Sequence, residues 1–269
     1  MRAWFVIPGI AVTAGAFIAA DVRDLGVPTG WSGSEYEKHG YDLLKKHDYE
    51  NARRYFDAAI RADPHMWTAY YDRATIFIQQ KKWSAALQDL NSTIRLKPSF
   101  FTATIWRAEV NSQLGNYRAT LTDLDRLAVL LLKVRNTFEQ AMVLNNRAWL
   151  RATCPDASIR AGQLAIADAK KACELNIWLL APHIDTLAAA YAEAGDFDSA
   201  IRYQQEALAK EKSVPEQASK TLAKLRHDPD RHKRVSEELA EGVKKSLTEY
   251  SQRLELYKRH RPYRQSLPH

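Results

Sequence analysis

The stretch Tyr36–Pro64, YEKHGYDLLKKHDYENARRYFDAAIRADP, decides the fold of this chain. Its apolar residues recur at helical steps, which predicts two short amphipathic helices joined by a tight turn. Small residues such as Gly40 and Ala52 stand where the two helices must approach closely. Large apolar and aromatic residues fill the space between them, and Pro64 marks the exit. The stretch therefore predicts one pair of packed helices.

The same pattern recurs along the chain. We call the small residue in the middle of each first helix the close-contact position; these positions are Gly40, Ala74, Ala108, Ala148 and Ala188. The matching small residues of the second helices are Ala52, Ala86, Thr120, Ala165 and Ala200. Repeats of this kind bury their apolar surface between neighbouring units. The spacing predicts five helix pairs over residues 33–212.

The pattern resembles the tetratricopeptide repeat, whose signature combines aromatic, glycine, alanine and proline positions. The first unit supplies Tyr36, Gly40, Leu43, Tyr49, Ala52, Phe56, Ala59 and Pro64. The resemblance implies an all-α tetratricopeptide-repeat α-solenoid, a right-handed superhelix of about five helix pairs with a C-terminal capping helix. It also implies that the first helix of each pair lines a concave groove, and that the chain is a non-enzymatic scaffold for a protein or peptide partner.

The fourth unit, NNRAWLRATCPDASIRAGQLAIADAKKACEL, has an enlarged turn. It resembles a bacterial tetratricopeptide subfamily with a Thr-Cys-Pro-Asp turn and a closing Arg-Leu-Glu-Leu-Tyr helix, here Arg253–Tyr257. The chain departs from that subfamily at residues 176–182 and 213–234. In the third unit Leu132 replaces the closing proline, so we expect the second helix to continue through residues 127–134.

The region after the repeats divides into three predicted parts. Residues 213–234 are a connecting segment, with a helix over 215–225 that Asp228-Pro229-Asp230 should end. Residues 235–260 form a capping helix, because apolar residues recur there at steps of three or four. Residues 261–269 are a basic tail. The alternative to a cap is a helix that docks on a partner or lies on an anionic membrane.

The N-terminus begins with an apolar run. Residues 1–20 are predicted to be a signal peptide or an uncleaved membrane anchor, followed by a linker over 21–32. An apolar leader that packs on the first repeat is the remaining alternative. A signal peptide or a membrane anchor predicts an exported or membrane-anchored protein on the periplasmic or extracellular side. A cytoplasmic protein is the alternative.

No motif in the sequence assembles a catalytic site. The chain lacks a Gly-rich phosphate loop, a Gly-x-Ser-x-Gly turn and a Cys-x-x-Cys pair. Cys154 and Cys173 should lie more than roughly 10 Å apart on antiparallel helices, beyond disulfide reach. Cys173 is predicted to be core. We therefore predict that the protein is not an enzyme and binds no cofactor or metal.

The formal charge of +7 is unevenly placed, since residues 210–264 hold 15 Lys and Arg against 9 Asp and Glu. Arg73, Arg107 and Arg147 also recur just before the close-contact positions. This basic region and arginine ladder support an alternative function, binding of nucleic acid or an anionic surface. The favoured interpretation is that these arginines form salt bridges to Asp72, Glu109 or other neighbours. Nucleic acid is the less favoured partner.

Candidate groove residues lie one turn to either side of each close-contact position. They are Glu37, Tyr41 and Lys45; Tyr71, Thr75 and Gln79; Glu109 and Gln113; Asn145 and Trp149; and Asp185. This mixture of aromatic and polar side chains suits an extended peptide or a partner helix. Glu37 and Tyr41 stand where chaperone-binding tetratricopeptide domains carry a Lys and an Asn. A terminal carboxylate would be repelled by Glu37, so a ligand of that type is not expected.

Overall fold

The computed structural model describes residues 25–132, 137–222 and 229–266, and these residues form helices with no strand. The helices are α1 (Gly33–Lys45), α2 (Tyr49–Ala62), α3 (Trp67–Gln79), α4 (Trp83–Leu96), α5 (Phe101–Gln113), α6 (Tyr117–Leu131), α7 (Thr137–Thr153), α8 (Gly162–Leu175), α9 (Ala181–Glu193), α10 (Phe197–Leu222) and α11 (Pro229–Lys258). The all-α prediction is confirmed.

The chain divides into two compact units, Met1–Val110 and Asn111–His269. In unit 1, α1 packs on α2 and α3 on α4; in unit 2, α7 packs on α8 and α9 on α10. None of the helices among the described residues is both long and apolar enough to cross a lipid bilayer. The predicted signal peptide or anchor, residues 1–20, lies outside the described residues and stays a prediction.

Small residues let the paired helices touch. A Cβ atom added to Gly40 would lie 2.9 Å from Cε1 of Phe56 on α2, so no larger residue fits there without a shift of the ring. Ala52 and Phe56 are fully buried in the same core. The close-contact residue Ala74 on α3 is also fully buried. The close-contact positions therefore fix the spacing of each helix pair, as the sequence predicts.

Residues 25–32 of the predicted linker pack on the first helix pair. Val27 is buried, and the ring of Trp31 lies against the rings of Tyr36 and Tyr55. The Tyr36 hydroxyl donates a hydrogen bond to the Pro28 carbonyl. Ser32 then caps α1 in a reciprocal capping box with Glu35. These residues close the apolar end of unit 1.

The turn inside a helix pair needs one residue in the left-handed region. His47, Lys81, Gly115 and Gly195 take this conformation, with φ angles of 61°, 57°, 76° and 86°. An L-residue there has its Cβ close to a carbonyl oxygen, which costs roughly 1–2 kcal/mol. Two of these turns therefore carry a backbone strain that glycine relieves in the other two.

The arginine ladder holds second helices together. Arg73 donates from Nε and Nη2 to the carboxylate of Asp89 on α4, at 2.8 and 2.7 Å, and from Nη1 to Asp57 on α2, at 2.6 Å. Arg147 does the same in unit 2 with Asp168 on α8 and Asp125 on α6. The predicted salt bridges are thus present. The carboxylates that pair with Arg73 belong to residues sixteen positions before and after it, and not to Asp72.

The sixth helix is shorter than the sequence predicts. α6 ends at Leu131, where the Gln140 side chain of α7 donates a hydrogen bond to the Leu131 carbonyl. The extra residues of this region instead lengthen α7 to 17 residues, against 13 in α1, α3, α5 and α9. A side chain from the next helix therefore caps α6, whereas Pro64 and Pro98 follow the second helices of the first two units.

Both C-terminal helices extend into the predicted connecting segment. α10 runs through Pro215 to Leu222, and α11 begins at Pro229. A proline suits the first position of a helix because its fixed φ is already helical and its missing N–H is not needed there. Pro229, at the predicted stop, is therefore also the start of α11, whereas residues 223–228 lie outside the described residues. α11 packs on α10, and its Tyr250 and Tyr257 are buried in cores shared with α9 and α10.

Replacement of Lys81 by glycine should stabilise the protein by about 1 kcal/mol, because glycine adopts the left-handed turn without strain. The urea midpoint should rise. The matched control is Gly195→Ala, since an added Cβ there meets nothing within 4 Å and only the backbone changes. That variant should lose about 1 kcal/mol. Midpoints that move in the same direction for both variants would contradict the turn argument.

Replacement of Arg73 by methionine should cost about 3 kcal/mol at pH 7, because it leaves the buried Asp89 carboxylate without the cation that pairs with it, while Asp57 keeps its ion pair with Arg53. Burial already raises the pKa of Asp89, and Arg73 opposes that rise. Without Arg73 the folded-state pKa lies further above the unfolded one, so the deficit should shrink as pH falls towards 4. The control is Arg53→Met, whose partner is also Asp57 but whose side chain is 30% exposed; it should cost less than about 1 kcal/mol. Urea unfolding at pH 7 and pH 4 measures both, and a pH-independent deficit would exclude the ion-pair explanation.

Candidate functional site

Most predicted groove residues of unit 1 lie on α1 and α3. Glu37 and Tyr41 are partly exposed on α1, and Lys45 lies exposed with its ammonium 4.2 Å from the centre of the Tyr41 ring. On α3, Tyr71 and Thr75 are partly exposed and Gln79 is exposed. This surface offers two aromatic rings, an acid and several hydrogen-bonding groups on two adjacent helices.

The Tyr71 ring is held by Phe100, which precedes α5. Tyr71 meets the Phe100 ring edge to face at 4.9 Å, and Phe100 also lies 4.8 Å from Trp67. Burial raises the pKa of the Tyr71 phenol to about 12, so the ring stays protonated at any physiological pH. A fixed aromatic ring loses little conformational entropy when a ligand packs on it.

An acidic pair marks the same groove. Burial raises the pKa of Asp72 to about 7, and the negative charge of Glu37 adds to this rise. No described lysine or arginine forms a salt bridge with either carboxylate. The Asp72 carboxylate is therefore only partly ionised near neutral pH, and a cation brought beside it would favour the ionised form.

The predicted groove residues Asp185 and Trp149 of unit 2 contact the C-terminal helix α11. Asp185, which stands on α9 where Glu37 stands on α1, is fully buried and accepts a hydrogen bond from Arg253 Nε at 2.8 Å. Gln204 donates to the same oxygen at 2.8 Å. The Arg253 guanidinium also lies over the rings of Trp149 and Tyr250, at 5.4 and 5.2 Å. The sequence predicts an open groove at Asp185; α11 fills it instead.

Residues 261–266, which we call the tail, cross the same face. The rings of Tyr263 and Trp149 lie 5.8 Å apart. Arg264 forms a 2.6 Å ion pair with Glu193 and points a second nitrogen at the Ala152 carbonyl, at 3.5 Å. The Gln265 N–H donates to the Thr153 carbonyl at 2.9 Å. The tail therefore binds the C-terminal ends of α7 and α9.

The enlarged turn of the fourth unit supports this end of the groove. Arg160 donates to the carbonyls of Cys154 and Pro155 and to Glu193. Cys154 is buried and free, and burial raises the pKa of its thiol. The free Cys173 is fully buried, as predicted, and burial raises its pKa to about 12. These thiols are held in the less reactive protonated form.

The predicted groove residues thus fall into two sets. Those of unit 1 surround the partly exposed concave surface, whereas Trp149 and Asp185 contact α11 or the tail, and Asn145 is buried nearby on α7. Glu109 on α5 is partly exposed, and Gln113 lies at the end of that helix. Arg73 and Arg147 of the arginine ladder are engaged in ion pairs, and Arg107 donates to Asn91 at 3.0 Å. These internal contacts account for the ladder without an external anion.

Sequence reasoning missed four contributors: Asp72, Arg253, Tyr263 and Arg264. Asp72 adjoins Tyr71, and its lack of an ion-pair partner among the described residues is visible only in the folded chain. Arg253, Tyr263 and Arg264 lie in the basic C-terminal region, whose charge suggests a helix face exposed to solvent. An arginine at the buried face of the predicted capping helix was the available signal, because Arg253 falls one turn before the apolar residue Tyr257.

Comparison with known proteins gives the same fold. The tetratricopeptide repeat family model matches residues 37–100. A tetratricopeptide repeat protein from Parabacteroides merdae aligns over 86% of this chain and 98% of its own, with 18% identity and a TM-score of 0.57. MamA from Desulfovibrio magneticus aligns over 69% of this chain and 98% of its own, with 16% identity and a TM-score of 0.56.

A third structure is YrrB, a tetratricopeptide protein with an unusual peptide-binding site. It aligns over 66% of this chain and 86% of its own, with 14% identity and a TM-score of 0.55. No curated protein sequence matches the chain. Residues 37–100 are therefore tetratricopeptide repeats, and the described chain has the all-α fold of tetratricopeptide-repeat proteins.

Proposed function

We propose that this protein is a non-enzymatic scaffold that binds an extended segment or a helix of a partner protein in the concave groove of unit 1. The observation that carries the proposal is the use of the matching positions in unit 2. There, an acid and an aromatic ring at the predicted groove positions, Asp185 and Trp149, hold side chains of the C-terminal region. Glu37 and Tyr41 occupy the same positions relative to Gly40 and are partly exposed.

The chemistry of these positions favours a basic partner. Asp185 and Glu193 both bind arginines in unit 2. In unit 1, Glu37 and Asp72 place two carboxylates beside the rings of Tyr41 and Tyr71. A lysine or arginine flanked by apolar residues would satisfy the acids and pack on the rings. The structural neighbour YrrB has a peptide-binding site, which supports a peptide as the ligand.

Peptides selected from a random display library on the full-length protein should be enriched in lysine and arginine. Glu37→Lys should weaken their binding about tenfold or more, because it places a like charge in the groove. Tyr41→Ala should have a similar effect through the lost aromatic contact. Titration calorimetry with one selected peptide measures both.

Asp42→Lys is the matched control, since it makes the same charge change on the same helix at a side chain that is 57% exposed. It should leave the affinity within about twofold, because Asp42 is not a predicted groove residue and its weak 3.9 Å ion pair with Lys45 is exposed to salt. Equal losses in Asp42→Lys and Glu37→Lys would show only a general charge effect. Selection of acidic peptides would contradict the proposed ligand chemistry.

The affinity of a selected cationic peptide should rise severalfold between pH 6 and pH 8. Asp72 has a pKa of about 7, so it is mostly neutral at the lower pH and mostly a carboxylate at the higher one. Only the ionised form attracts the ligand, and by linkage the bound ligand lowers the pKa of Asp72. Asp72→Asn should remove the rise while leaving the folded structure intact by circular dichroism. A rise that persists in Asp72→Asn would assign the titration to another group.

A further inference from the structure

We infer that the concave face of unit 2 is a second peptide site, which the tail occupies in cis, and that its external ligand is a segment with an aromatic residue followed by arginine. The tail contributes such a pair in Tyr263 and Arg264. Its residues 261–266 form neither helix nor strand. The inference adds a site to the scaffold and does not require unit 1 to bind anything.

The arginine part of the site is formed by two helix ends. α7 ends at Thr153 and α9 at Glu193, so both helices present the negative ends of their dipoles. Unpaired carbonyls at such ends accept hydrogen bonds from an incoming chain. Arg264 meets the Ala152 carbonyl and the Glu193 carboxylate, and the Gln265 N–H meets the Thr153 carbonyl. A guanidinium followed by a backbone N–H therefore matches the site in charge and in hydrogen-bond direction.

The aromatic part of the site is the Trp149 face. Tyr263 lies beside it, and the Arg253 guanidinium lies over both rings, 5.4 Å from Trp149 and 5.3 Å from Tyr263. One turn before Trp149 on α7, the buried Asn145 Oδ1 has no hydrogen-bond donor among the described residues. That atom is enclosed, so the contacts available to an external segment are those that Tyr263 makes with Trp149 and Arg253.

The two arginines that bind this face differ in how firmly they are held. Arg253 is 4% exposed and its partner Asp185 is fully buried, so this ion pair belongs to the core. Arg264 is 35% exposed, against 13% for Glu193. Ion pairs that keep contact with water contribute little net stability. The tail can therefore leave while α11 stays in place, which makes it a displaceable ligand rather than part of the core.

The test uses a labelled synthetic peptide, Arg-Pro-Tyr-Arg-Gln-Ser, which copies residues 261–266. All proteins are full-length and carry Glu37→Lys, so that unit 1 does not contribute. Fluorescence anisotropy compares the chain with its native tail, the open variant Tyr263→Ala/Arg264→Ala, and the control Arg261→Ala, which removes an exposed tail charge. The open variant should bind the peptide about tenfold more tightly than the other two, because a tethered ligand competes at roughly millimolar effective concentration.

Two further measurements attribute the gain to this site. Adding Glu193→Gln to the open variant should abolish the gain, and a peptide with alanine at its tyrosine and second arginine should bind no protein tightly. In the chain with its native tail, excess peptide should speed hydrogen exchange of residues 261–266 as the tail is displaced. This readout holds even if the open variant is unstable.

Three results would overturn the inference. One is equal peptide affinity for the open variant and the chain with its native tail. Another is unchanged exchange of residues 261–266 in excess peptide. The third is a concentration-dependent dimer that is lost in the open variant, since the tail would then be exchanged between two copies. Failure of the unit 1 proposal leaves all of these readings unaffected, because Glu37→Lys is present throughout.

Discussion

The close approach of two helices at a small residue is the constraint on which the rest of this structure depends. Where Gly40 faces Phe56, an added carbon would lie 2.9 Å from the ring. The same requirement at Ala74 and Ala188, both fully buried, keeps the first and second helices of their pairs in contact. Because each first helix is held by one face, its opposite face is left to meet a ligand or another part of the chain.

Charge is used differently on the two faces of the first helices. Arg73 and Arg147 point to the second helices, where each joins two aspartates and so ties neighbouring pairs together. The acids Glu37 and Asp185 stand on the concave side. Arg73 and Arg147 therefore form ion pairs within the protein, and acids stand at the predicted groove positions. An array that binds anions would instead present cations there.

The helix pairs could be predicted from sequence because their determinants are local. The spacing of small residues and the prolines at the exits fixes α1 to α5 and α9 closely. The end of α6 could not be predicted, because Gln140 of the next helix caps it. The sequence could predict that Arg73 pairs with acids, but not with which ones. Its partners are aspartates sixteen residues before and after it. They come close to Arg73 only because the second helices stack.

The occupation of the unit 2 groove was beyond sequence reasoning for a physical reason. Arg253 and Asp185 are 68 residues apart, and no local periodicity links positions at that distance. The groove candidates of unit 1 follow from spacing alone, whereas those of unit 2 depend on where α11 docks. The basic composition of the C-terminal region suggests a solvated helix. The structure shows instead that Arg253 of this region is buried against the buried acid Asp185.

That separation has a consequence for biosynthesis. Asp185 leaves the ribosome long before Arg253, so the emerging fifth helix pair carries a carboxylate that has no cation to neutralise it. Until α11 arrives, α9 either keeps that face in water or holds the acid protonated. The docking of α11 is thus the step that lets unit 2 close. A nascent chain stopped before residue 253 should be bound by chaperones or degraded, however complete its repeats.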